Sequence, residues 1–65
     1  MSYEADLAHS YRERAEQLRT IADQDNLEET RRMLLKVAGE YEAMAKNMEA
    51  LESWRLKSAK PRLPS

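Results

Sequence analysis

The chain contains no cysteine and no phenylalanine, a single glycine (Gly39) and two prolines, Pro61 and Pro64, both close to its C-terminus. Each shortage excludes something. Without cysteine there is neither a disulfide staple nor a thiolate metal site, and a reducing, cytoplasmic setting is the expectation. With one glycine there is no phosphate-cradling loop. No apolar run approaches the roughly 18 residues of a membrane span, and no basic-then-apolar leader opens the chain, so no membrane partner is expected. Until Pro61 nothing interrupts a helix by removing a backbone donor.

What is present is a short, highly charged chain: 65 residues with 11 basic and 12 acidic side chains. Below about 70–80 residues one core rarely supplies more than ~3–5 kcal/mol, so a partner or a staple is expected. The charge is unevenly spread. Residues 1–53 carry 12 acids against 7 bases, a balance of −5, whereas residues 54–65 carry Arg55, Lys57, Lys60 and Arg62 with no acid, a balance of +4. An acidic body with a basic tail lacks the basic face of a general nucleic-acid binder.

Hydrophobic periodicity defines two helices. In the second half Leu34, Ala38, Tyr41, Ala45 and Met48 step by four and three, the spacing of a packed seam, with Val37, Met44 and Leu51 running beside it. In the first half Ala8, Tyr11, Ala15, Leu18 and Ala22 repeat that spacing, flanked by Leu7 and Ile21. Period-two alternation is missing, which excludes strand. Ser2 reads as an N-cap, with Glu4 and Asp6 near the positive end of the first helix. Asp25 and Glu28 have capping-box spacing, as do Asn26 and Glu29 one residue later. The expectation is all-α: an antiparallel two-helix hairpin over about 3–23 and 26–57, forming one domain to residue 57, followed by a basic, disordered tail at 58–65.

Two details follow. Gly39 costs roughly 1 kcal/mol against alanine within a helix, and the expected reason for it is close approach of a neighbouring backbone. A turn near residue 25 makes facing positions sum to about 49–50, which sets Ala8 near Tyr41 and Tyr11 near Ala38, small against large. The first helix then covers the second only to about residue 46. Met48, Leu51, Trp54 and Leu56 are left as an overhang, and an exposed apolar overhang calls for a partner. The two seams also echo each other at an offset of 30, Ala8, Tyr11, Ala15 and Leu18 against Ala38, Tyr41, Ala45 and Met48.

The segments Tyr11-Arg12-x-Arg14-Ala15-x-x-Leu18-Arg19, Arg31-Arg32-x-Leu34-Leu35-x-x-Ala38 and Tyr41-Glu42-x-Met44-Ala45 together span most of the chain. They resemble a group of short, uncharacterised bacterial helical-hairpin proteins with the pattern YRxRAxxLR…RxxLLxxAxxYExMA. Asn26 stands where those chains often carry a proline at the start of the second helix. The resemblance implies the hairpin and attaches no activity to it.

Candidate chemistry is sparse. His9 is the only histidine; Asp6 and Glu13 lie one turn to either side, and the same facing arithmetic sets Glu40 across the hairpin. A metal bundle needs a second Glu-x-x-His-type motif, and the chain has none, so no metal and no cofactor are expected. Tyr11 and Tyr41 read as packing residues, and Ser10, Ser53 and Ser58 have no acid–histidine context. Arg12, Arg14, Arg19, Arg31 and Arg32 read as ion-pairing residues for Glu16, Asp23, Glu28 and Glu29 before they read as an anion site. Pro61-x-x-Pro64 has the spacing of groove ligands, but a solubilising tail is the simpler reading. The expected function is therefore a small homo-oligomeric interaction or adaptor module without catalytic activity. Its homodimer would be a four-helix bundle with Val37, Met44, Met48, Leu51 and Trp54 at the oligomer interface; an unidentified protein partner is the other option. The alternative is a nucleic-acid- or anion-binding regulator using the arginines and the basic tail, with nucleic acid disfavoured by the acidic body.

Overall fold

The computed structural model describes residues 2–58, and they form two helices, α1 (Tyr3–Gln24) and α2 (Glu28–Ser58), joined by a three-residue turn. No strand occurs among the described residues. The all-α hairpin read from periodicity is the observed fold. The molecule is a rod: its radius of gyration is 16.7 Å, against about 11 Å for a compact globule of this length. The expected tail lies outside the described residues except for Ser58, which closes α2.

Ser2 caps α1 as its sequence position implies. Its backbone is extended, its hydroxyl accepts the Ala5 N–H at 3.0 Å, and its carbonyl accepts the Asp6 N–H at 3.1 Å. Glu4 and Asp6 sit in the first turn, where the unpaired N–H groups favour negative charge.

The turn differs from the expected capping box. Asp25 is consumed by the helix before it: its N–H closes on the Ala22 carbonyl at 3.2 Å, and its carboxylate accepts the Leu27 N–H at 2.8 Å. This is the two-residue reach of an Asx turn, not the three-residue reach of a cap. Glu28 is thus the first helical residue, two later than expected, and the first α2 bond runs from the Arg31 N–H to the Leu27 carbonyl at 3.0 Å.

The core is made of alanine. Ala8, Ala15 and Ala22 on α1 and Ala38 and Ala45 on α2 are at most 2% exposed, and no large side chain is fully buried among the described residues. In a two-helix chain only the facing helix can bury them. Alanine every seventh residue on both sides lets the backbones come close. Tyr11, Leu18, Leu34, Tyr41 and Met48 lie between the alanines, half-buried.

Small does not oppose large, however. The Tyr11 and Tyr41 rings meet each other, centroids 6.0 Å apart and planes tilted by 35°. The turn over residues 25–27 centres on Asn26, one residue later than expected, so facing positions sum to about 52 and Tyr11 stands opposite Tyr41. Helical side chains also lean toward their own N-terminus. In an antiparallel pair both leans add, so side chains meet at larger residue sums than their backbones do. The same lean lengthens the covered region: Ser2 reaches Glu52 and Glu4 reaches Arg55. The overhang is shorter than expected, and Met48 belongs to the hairpin. Leu51, Trp54 and Leu56 remain exposed.

Gly39 is a second correction. It points away from α1 into open space, with nothing within 4 Å of where a β-carbon would stand, so no close backbone approach requires it.

Candidate functional site

The seam has two flanks, and sequence position assigns residues to them. Residues immediately after the large seam residues form one flank: Arg12 after Tyr11, Arg19 after Leu18, Glu42 after Tyr41 and Glu49 after Met48. They pair across the helices. Arg12 engages both oxygens of Glu49, with Nη2 to Oε1 at 2.9 Å, and Arg19 Nη2 donates to Glu42 Oε2 at 2.9 Å. Hydrogen bonding to the Arg12 guanidinium holds the Glu49 carboxyl below its ordinary value of 4.5, and the same contact raises Arg12. The expected partners were Glu16, Asp23, Glu28 and Glu29. Two of the five arginines instead reach acids on the opposite helix seven residues apart.

The open end of the hairpin, away from the turn, is also polar. Ser2 donates to Glu52, and Arg55 Nη2 donates to Glu4 Oε1 at 2.8 Å. Glu4 and Glu52 continue the two seams at their four–three spacing, and Glu4 is the one buried charged residue among those described. Sequence reading missed this because it followed apolar periodicity only. The signal was there: Glu4 lies four residues before Ala8, Glu52 seven after Ala45, and Arg55 seven after Met48.

Residues immediately before the seam alanines form the other flank: Leu7, Arg14 and Ile21 on α1, Val37 and Met44 on α2, with Leu51 before Glu52. Leu7 and Val37 are half-buried, while Ile21, Met44 and Leu51 are exposed. Among the described residues no ion pair involves this flank. Of the expected interface residues, Val37, Met44 and Leu51 lie here, Trp54 lies next to it and Met48 lies in the seam.

His9 Nε2 is 3.6 Å from Glu13 Oε2, with both side chains exposed, and no group of three or more His, Asp or Glu gathers among the described residues. Shallow depressions among the described residues include the following two. One is lined by Glu16, Gln17, Thr20 and Ile21; the other mixes Arg31 and Arg32 with Asp23, Glu28 and Leu35 and so presents no uniform charge. No helix among the described residues is long and apolar enough to cross a membrane. No protein-family model matches the chain, and no curated protein and no solved structure matches it either.

Proposed function

We propose that the chain is a self-associating structural or interaction module, working as a homo-oligomer built on its long helix. The observation that carries this reading is the core itself. Among the described residues alanine is the only type almost fully withdrawn from water, with Glu4 next at 8% exposure, while Ile21, Met33, Leu35, Met44, Leu51, Trp54 and Leu56 all stay exposed. Apolar burial stabilises in proportion to area, and alanine offers little of it. A second chain placed on the apolar flank supplies the missing burial and turns two helices into four.

The anion-binding reading is weaker on the same page. Arg12 and Arg19 are occupied by Glu49 and Glu42, and Arg31 and Arg32 share their depression with two acids. Sedimentation at micromolar concentration tests the proposal directly: an assembly above 7.6 kDa, with a melting temperature that rises with protein concentration, is the expected result. A monomer with concentration-independent melting rejects it.

A further inference from the structure

The long helix carries a second seam besides the one facing α1. Met33, Val37, Glu40, Met44, Asn47, Leu51 and Trp54 step by four and three without a break. That spacing places all seven on one stripe of the helix. The stripe lies on the apolar-flank side, turned outward from α1. Met33 is 66% exposed, Trp54 65% and Leu51 44%, so its ends are wet although its residues are apolar.

The order of residues along the stripe is nearly the same read from either end. Met44 is the centre. Val37 and Leu51 lie seven residues to either side, Glu40 and Asn47 four and three, Met33 and Trp54 eleven and ten. A pattern of this kind is complementary to itself when a second copy runs the opposite way. Apolar then meets apolar at Met33–Trp54, Val37–Leu51 and Met44–Met44, and the two polar interruptions meet as Glu40–Asn47, where the amide can donate to the carboxylate.

We infer that the partner on this face is a second copy of the chain, its α2 antiparallel to the first and related by a two-fold axis at Met44. This rests on the self-association proposed above and names its geometry. Charge selects the direction. A parallel pair in register would set Glu40 against Glu40, like charges within a closing interface, whereas the antiparallel pair sets each Glu40 against an asparagine. A polar residue within an apolar seam is the usual means of fixing register. A two-fold contact uses the same patch on both chains, so the assembly closes at two. The ion-paired flank, with Arg12, Arg19, Glu42 and Glu49, stays outside.

The absence of cysteine makes the test clean, because one introduced thiol is unique in the chain. Met44→Cys should oxidise to a disulfide-linked dimer in which most of the chain is trapped. Val37→Cys and Leu51→Cys should each remain reduced alone, since two copies of either position stand about 21 Å apart along the antiparallel axis, and should form a mixed disulfide when combined. A disulfide needs α-carbons within about 7 Å, which makes the pattern decisive. Wild-type sedimentation, run alongside, separates the two levels of failure. A wild-type dimer in which Val37→Cys links to itself overturns the antiparallel geometry and leaves self-association standing. A wild-type assembly larger than two overturns closure. A wild-type monomer overturns both. Should Met44→Cys lose its helicity, the Val37→Cys and Leu51→Cys mixture still decides.

Discussion

The two flanks of the hairpin put the two sides of one seam to opposite ends. On one, residues following the large seam residues carry Arg12, Arg19, Glu42 and Glu49, each cation satisfied by an anion of the other helix. On the other, residues preceding the seam alanines and Glu52 are Leu7, Ile21, Val37, Met44 and Leu51, of which Leu7 and Val37 are half-buried and Ile21, Met44 and Leu51 exposed. Exposed ion pairs add little stability but strongly disfavour a mismatched neighbour, so the first flank fixes which helix face meets which. The second carries no ion pair among the described residues, so it adds little to the specificity of the hairpin, and part of the exposed apolar area lies on it. In the self-association proposed above, the second flank is the one that meets the partner.

The sharpest way to break this comparison is to attack the seam both flanks depend on. Ala38 is 1% exposed beneath the opposite helix, so Ala38→Leu has no room. Overpacking of this kind costs about 1–3 kcal/mol. For a domain of this size each kcal/mol lowers the melting temperature by roughly 4–8 °C. A thermal melt followed by circular dichroism measures it, and an unchanged melt would remove the alanine seam from the account. Next in size is a charge on the apolar flank: Met44→Asp should dissociate the assembly while a dilute sample keeps its helicity, both visible in one sedimentation and dichroism series. The matching change on the ionic flank, Glu42→Gln, should leave assembly untouched. Equal effects of the two would erase the distinction between flanks.

A third effect is smaller and of opposite sign. Gly39 stands outward in the middle of α2 with open space where a β-carbon would go. Gly39→Ala should therefore stabilise by about 0.5–1 kcal/mol through helix propensity alone. A loss of stability would restore the close-packing role that the sequence suggested for this glycine.

How far the sequence reaches can be argued from these same residues. Helix number and the start of α1 follow from the four–three spacing and the Ser2 cap, because those depend on local geometry; the start of α2 does not, because Asp25 is used by the turn. The seam alanines are legible for the same reason. The Tyr11–Tyr41 contact is not, since it depends on the exact residue at which the chain turns, and the turn centres on Asn26, one residue later than the caps suggested. Gly39 misleads because a glycine's reason is invisible until its surroundings are known. The partners of Arg12 and Arg19 are missed because a list of nearby acids leaves out that both arginines stand next to seam residues, facing Glu49 and Glu42 of the other helix. Glu4 is the clearest case: a carboxylate in a buried seam position is read as surface until Arg55, 51 residues away, is seen beside it.

That pair also shows that a polar seam end is a different thing from an ionic flank. The Glu4 side chain is 11% exposed and Arg55 54%. Removing the cation, as in Arg55→Met, leaves a buried carboxylate without its partner, whereas Glu4→Leu removes the buried charge itself and puts an apolar side chain at a seam position. Arg55→Met should therefore destabilise more than Glu4→Leu in parallel urea melts. The reverse order would mean that Glu4 is solvated well enough to stand alone.

The smallest expected effect is the acid response of the ionic flank. The Glu49 carboxyl is held below 4.5 by its hydrogen bonds to Arg12, so the folded state binds that proton more weakly than the unfolded chain does. Stability from this source is complete above the unfolded value, near 4.5, and is lost as pH falls through the depressed folded value. Both side chains are substantially exposed, so salt screens the pair and the loss is slight. Glu49→Gln should flatten the melting profile between pH 5 and pH 3 and leave it unchanged near neutrality apart from a small constant offset. Sedimentation across the same range should show no change in assembly, because in the proposed assembly Glu49 lies on the flank turned away from the partner. If acid dissociated the assembly and Glu49→Gln prevented it, the ionic flank would be the interface, and the two sides of the hairpin would have to exchange roles.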